Sequence, residues 1–220
     1  LGLTPVLVDV EPDTYNIDPA AISRAITPKT KAIVPVHLFG QCANMEAILD
    51  LAKKYKLFVI EDNCQAIGAD YVFADGRRQK GGSMGDIGCT SFFPSKNLGC
   101  YGDGGAIFTN SDDLATTLRF VVNHGMVKRY YHDMIGVNSR LDSIQAAILD
   151  VKLKRLDDYA AARRRAADYY DAAFAGCPNL KTPLRSAYST HVFHQYTLVT
   201  EGIDRTALQD ELERIAGNLM

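Results

Sequence analysis

Apolar and polar positions along this chain follow two different periods, and the changes of period mark its elements. Residues 6–10, 31–37 and 57–60 are short runs rich in Val, Ile and Leu, the pattern of strands buried in a sheet. Between them the spacing is helical. Asp18 followed by Pro19 predicts a helix start, with the helix running to residue 26. Aspartate accepts from the first free amides, and proline suits the first helical position. Asn44 predicts the cap of a second helix over 45–55, with Ile48, Leu51, Ala52 and Tyr55 on one face. This alternation of strand and helix predicts a parallel sheet covered by helices, an α/β fold. Residues 87–93 (IGCTSFF) and 106–109 (AIFT) predict two further strands, and 112–122 predicts another helix.

The second half changes character. Residues 123–140 (NHGMVKRYYHDMIGVNSR) are polar, aromatic and too long for a plain connection. Residues 141–174 contain no Gly or Pro, and Leu141, Ile144, Ile148, Val151 and Tyr159 recur near helical spacing. They predict one helix reaching roughly 50 Å at ~1.5 Å per residue. Such a helix would connect a large domain over 1–140 to the start of a smaller α+β domain over 175–220. A strand at 192–200 and a helix at 205–216 would open that second domain. On the strand, His191 and His194 would point to opposite faces and could not share a metal. Leu1 is not an initiator methionine and the pattern stops soon after a helix, so the chain reads as an internal piece of a longer protein.

Composition narrows the function classes. The 220 residues are 47% hydrophobic, enough to bury a substantial core. A net charge of −2 gives no electrostatic case for nucleic acid or an anionic membrane. No apolar run approaches the length of a membrane span, and no secretory leader is visible. Cys42, Cys64, Cys89, Cys100 and Cys177 show no C-x-x-C pairing, so they read as free thiols in a reducing cytoplasm rather than as a disulfide framework or a metal site.

Candidate chemistry centres on TSFFPSKNLGCYGDGGAIFTN, residues 90–110. Pro94 ends strand pairing because it has no N–H to donate, and the four glycines of 97–105 let the backbone turn tightly beside a ligand. Lys96 sits on that sharp connection. Lys53, Lys54, Lys152 and Lys154, by contrast, read as ordinary surface lysines. Asp62 ends the strand LFVIE, and ligands of parallel sheets bind beyond the carboxyl ends of the strands. A lysine amine with a pKa near ~10.4 is almost wholly protonated at neutral pH, so a reactive one must be desolvated or covalently engaged. Pyridoxal phosphate (PLP) uses such a lysine and needs an acid opposite its ring nitrogen. A carboxylate about 4 Å from that nitrogen contributes about 4 kcal/mol at an effective dielectric of 20, roughly three pKa units. A structural ion pair between Lys96 and Asp62 is the other reading of the same two residues.

Four blocks carry a more specific signal: VDVEPDTYNIDPAAISRAITPKTKAIVPVHLFGQ (8–41), EDNCQAIGA (61–69), GDIGCTSFFPSKNLGCYGDGGAIFTN (85–110) and GVNSRLDSIQAAIL (136–149). In order and spacing they resemble the DegT/StrS family of PLP-dependent nucleotide-sugar aminotransferases, over nearly the whole chain. The resemblance implies an aspartate-aminotransferase-like (PLP fold type I) large domain with a mostly parallel sheet. It implies that Lys96 carries the cofactor and then moves a proton between substrate and cofactor carbons. Asp62 would pair with the ring nitrogen, Gln65 would meet the ring's hydroxyl side, and Ser91 would bind the phosphate. Asn138 would reach the phosphate in a neighbouring subunit of a homodimer with shared sites, and Arg140 would contact substrate. Each has a plainer alternative: Gln65 as the cap of a turn, Ser91 as a small strand filler, Asn138 as a left-handed turn residue, Arg140 as a surface charge.

The family's N-terminal phosphate-binding Gly-Thr turn and stacking aromatic have no counterpart in this chain, nor does the later part of the small domain. The implied reaction moves an amino group from L-glutamate to a nucleotide-linked keto-sugar, with the 3-keto branch, notably oxidised UDP-N-acetylglucosaminuronate, the nearest in wording. The implied use is surface polysaccharide or other amino-sugar biosynthesis. The alternatives are a PLP-dependent sugar dehydratase, in which a histidine would replace Lys96, and a non-catalytic or regulatory relative. A nicotinamide site is excluded: G-C-Y-G-D-G-G does not match G-x-G-x-x-G, and a strand follows it where a helix is needed.

Overall fold

A computed structural model describes residues 2–217. Its centre is a four-stranded sheet of β1 (Ala32–Ile33), β2 (Phe58–Asp62), β5 (Ile87–Ser91) and β6 (Gly105–Phe108), in the order β1-β2-β5-β6. β1, β2 and β5 are parallel, and β6 returns antiparallel to β5. The hairpin of β3 (Asp70–Val72) and β4 (Arg78–Lys80) stands outside this sheet. The predicted α/β class with a mostly parallel sheet is therefore present.

Local chemistry accounts for the first helices. α1 (Pro19–Ala25) starts where Asp18 accepts from the amides of Ala20 and Ala21. α2 (Met45–Tyr55) starts where Asn44 accepts from Ala47, and it buries Met45, Ile48 and Ala52 against the sheet, leaving Tyr55 largely exposed. α3 (Asp112–Val122) is capped by Ser111. The main core joins Ile22, Ile33, Met45, Ile48, Val59, Tyr71 and Val192. A second cluster joins Phe92, Leu98, Cys100, Leu149 and Leu156.

The two faces of β2 differ sharply. Val59 and Glu61 are buried, whereas Phe58 on the other face is 59% exposed. In the parallel register Ile60 lies beside Ile87 and Asp62 beside Cys89, so Asp62, Cys89 and, two residues on, Ser91 share the open face. Under the covered face, Glu61 accepts from the amides of Gly82 (2.8 Å), Met84 (2.6 Å) and Gly85 (2.6 Å) and from His37 Nε2 (2.8 Å). The Ala43 amide donates to His37 Nδ1, so Nε2 carries the proton that the ring gives to Glu61. Burial alone would raise the Glu61 pKa, but these donors outweigh it and hold the carboxyl below its ordinary range.

Several expected elements are corrected. Residues 6–10 form no ladder; only Val10 bridges, to Ile17, and Val6 and Leu7 face solvent. An apolar run becomes a strand only where a neighbour offers backbone groups to pair with, and the described residues offer none here. The 31–37 strand shrinks to β1 plus a single bridge from Val36 to Asp62, because Pro35 between them has no amide to donate. Residues 123–140 contain a small hairpin of β7 (Met126–Lys128) and β8 (Tyr131–His132).

The single long helix is two, α4 (Ser143–Leu153) and α5 (Leu156–Phe174). Arg155 leaves helical geometry (φ −113°, ψ 2°), and the bend lets both Leu149 and Leu156 enter the second cluster. Packing overrides a sequence with no intrinsic breaker. Ile144 and Val151, expected on its apolar face, are exposed. Lys152 is not a free surface lysine: its Nζ donates to the Gly99 carbonyl. The 192–200 strand survives only as β10 (Val199–Thr200), paired with β9 (Leu180–Lys181), and α6 (Arg205–Gly217) follows as predicted.

Candidate active site

The carboxyl ends of β2 and β5 lie side by side, and three of the predicted residues gather there. Asp62 closes β2; its backbone bonds to Pro35 and His37, and its Oδ1 accepts from the Cys64 amide at 3.0 Å. Ser91 closes β5, and its hydroxyl accepts from the Phe93 amide at 3.2 Å. Lys96 follows on a turn closed by its own amide to the Phe93 carbonyl at 2.9 Å. Asp62 and Lys96 both act on the Cys64 thiol. Burial first, then the hydrogen bond and charge of Asp62, push Cys64 up to about 12, while the Lys96 charge pulls the other way. Five free cysteines remain, with Cys42 and Cys100 buried and Cys177 exposed.

Gln65 lies at the same end of the sheet, but its Oε1 accepts from the Phe39 amide at 2.6 Å. Phe39 has φ 57°, a left-handed conformation that this bond helps to hold, so Gln65 does cap a turn, leaving its amide nitrogen for another partner. Asn138 and Arg140 stand apart. Both are exposed; Asn138 bridges only to Asn123, and among the described residues no hydrogen bond or ion pair ties either to Asp62, Gln65, Ser91 or Lys96. Among the described residues no group of three or more His, Cys, Asp or Glu side chains is placed to hold a metal ion, and no helix is long and apolar enough to cross a membrane.

Sequence reasoning missed three residues. Cys64 stands between Asp62 and Gln65 in an already suspected block, and its place beside Asp62 could have flagged it. Asn97 is next to Lys96, yet its amide reaches the Val192 carbonyl at 3.0 Å, ninety-five residues on. His194, read as part of a strand, instead sets its Nδ1 3.2 Å from Asn97 Oδ1, and no local pattern announces that contact.

An amine, a carboxylate and a hydroxyl on one sheet edge suit an aldehyde cofactor that carries a basic ring nitrogen and a phosphate. Comparison with known proteins agrees. Residues 1–216 match the DegT/DnrJ/EryC1/StrS aminotransferase family, and the chain belongs to it. It is similar to a UDP-2-acetamido-2-deoxy-3-oxo-D-glucuronate aminotransferase of Pseudomonas aeruginosa, 48% identical over 198 residues, covering 90% of this chain and 54% of that protein. It is equally similar to a protein of Geobacillus stearothermophilus named a pleiotropic regulatory protein, 48% identical over 217 residues, covering 96% and 55%.

Among solved structures, S. venezuelae DesV in complex with a ketimine intermediate superposes with a TM-score of 0.89 at 40% identity, covering 96% of this chain and 55% of that one. NtdA from Bacillus subtilis, solved with bound cofactor PMP, does so with a TM-score of 0.80 at 37% identity, covering 93% and 46%. The chain spans about half the length of the curated relatives it matches.

Proposed function

We propose that this chain is the lysine-bearing portion of a cytoplasmic, PLP-dependent aminotransferase that moves an amino group from L-glutamate to a nucleotide-linked keto-sugar. The observation that carries the reading is the placement of Asp62 and Ser91 at the adjoining carboxyl ends of β2 and β5, with Lys96 on the turn that follows, in a chain of the aminotransferase family. The name of the Pseudomonas relative supports a 3-keto sugar.

When bound, PLP supplies the electron sink for carbon–hydrogen bond cleavage. The remaining work falls to the chain. Lys96 would supply the amine that holds the cofactor, and the same amine would accept and return the substrate proton. Asp62 keeps its carboxylate aimed by the Cys64 amide and holds a proton on the ring nitrogen. Ser91, at the end of β5, gives a hydroxyl to the phosphate. Gln65 orients the ring edge with the amide nitrogen that Phe39 leaves unused. Asn138 and Arg140, exposed on the segment beyond α3, serve the site of a second subunit, Asn138 at the phosphate and Arg140 at the substrate.

A second reading, a regulatory relative that does not turn over, is favoured by the name of the Geobacillus protein. An absorption spectrum taken after adding PLP separates the two. The parent chain is expected to develop a visible band that the Lys96→Ala variant lacks. Identical spectra for parent and variant would remove the enzymatic reading.

A further inference from the structure

Behind Lys96 lies a set of contacts that the proposed chemistry does not use. Residues 192–194 arrive from the far end of the chain and wedge between two turns. The Val192 amide donates to the Gly40 carbonyl at 2.8 Å, and Arg163 Nη1, from α5, donates to the Phe193 carbonyl at 2.9 Å. Phe193 is held at φ 46°, a strained conformation for a bulky residue. The approach is close: a Cβ added to Gly40 would lie 2.8 Å from the backbone nitrogens of both Phe193 and His194. On one side this wedge meets the 38–40 turn, whose Phe39 amide is bound by Gln65. On the other it meets Asn97, buried next to Lys96.

The orientation of Asn97 follows from its two bonds. Its Nδ2 donates to the Val192 carbonyl at 3.0 Å, so its Oδ1 faces His194 and must accept. His194 Nδ1 therefore carries a proton and donates it to Asn97 Oδ1. We propose that His194 is a positioning residue for Lys96: by holding the Asn97 amide it fixes the turn that aims the amine. This rests on the reading of Lys96 as the reactive amine.

The electrostatics agree with the geometry. Burial first, then the charges of Lys96 and Arg163, lower the His194 pKa and keep the ring neutral near neutral pH. Lys96 on its turn and Arg163 on α5 are the two charged groups that act on it, and neither is an acid that would draw a proton to Nε2.

Two measurements on the full chain test this. In the first, the His194 ring is titrated by NMR in the parent, in Lys96→Met and in the control Lys53→Met. The His194 midpoint is expected to rise in Lys96→Met and to stay in place in the control. An unmoved midpoint in Lys96→Met overturns the proposal, and this arm does not depend on PLP. In the second, PLP followed by borohydride labels lysines, and the label on Lys96 is compared with that on the exposed Lys53 by peptide mapping. His194→Ala is expected to lower the ratio about tenfold through misplacement of the amine. His194→Gln, which can still donate to Asn97 Oδ1, should restore most of it. A parent-like ratio in folded His194→Ala overturns the proposal. If His194→Ala does not fold, His194→Gln and the titration decide. A parent chain that takes no label at Lys96, with the expected titration shift intact, would sink the functional reading and leave the placement of His194 standing.

Discussion

The edge of the sheet around Lys96 and the segment 123–140 both carry residues proposed for the same site, yet they are built in opposite ways. At the edge, Asp62, Ser91 and Lys96 are held by backbone pairing, by the Cys64 and Phe93 amides and by the wedge of 192–194. In the segment, Ile135 is 98% exposed, Tyr130 and Tyr131 face solvent, and among the described residues no hydrogen bond or ion pair ties Asn138 or Arg140 to the other proposed site residues. The first region is preorganised within one chain. The second presents apolar and polar groups outward, the composition of a surface that meets a partner. That contrast is the physical ground for the proposal that a second copy completes the site.

The comparison can be broken or sharpened by experiment. In a catalytically competent form of the protein, Asp62→Asn should cost about a thousandfold in transamination. A neutral amide forfeits the roughly 4 kcal/mol that keeps the ring nitrogen protonated. Turnover near the parent rate would take Asp62 out of that role.

The covered face gives the largest expected effect on stability. Glu61→Gln replaces a fully buried carboxylate that accepts four bonds, and should destabilise by about 3–5 kcal/mol in urea unfolding. Because the folded Glu61 pKa is depressed, its contribution is present above the unfolded value of ~4.3 and is lost as pH falls through the lower folded value. The parent should therefore lose stability on acidification more steeply than the variant. Parallel pH profiles would remove Glu61 from the account.

The exposed segment predicts complementation. Lys96→Ala and Asn138→Ala should each be impaired alone. Co-refolded, half of the randomly assorted dimers are mixed and each carries one intact site, so activity should recover to roughly a quarter of the parent. If Asn138 served its own chain, every site in a mixed dimer would carry one defect and mixing would restore nothing.

The same division explains what the amino-acid pattern made legible. The helix starts at Asp18 and Asn44 are local hydrogen-bond chemistry, and the helices begin there. Asp62 was legible as the end of a hydrophobic run and Lys96 as the turn after one, and the structure sets them there; Ser91, inside the expected run 87–93, closes β5 instead. What escaped was set by distant partners. The break at Arg155 has no Gly or Pro to announce it and exists so that Leu149 and Leu156 share a cluster. The turn at Phe193 depends on Gly40 and Arg163, far away in sequence. Gln65 was read with two roles, and its oxygen is spent on Phe39, a bond that only the fold could reveal.

The central claim is that Lys96, and no other lysine, is the amine of this site. Borohydride reduction in the presence of PLP, followed by digestion and mass spectrometric mapping, tests it most directly. The account predicts that the stable label falls on the peptide containing Lys96 at limiting PLP. Preferential label on Lys53, Lys152 or any other lysine would contradict it.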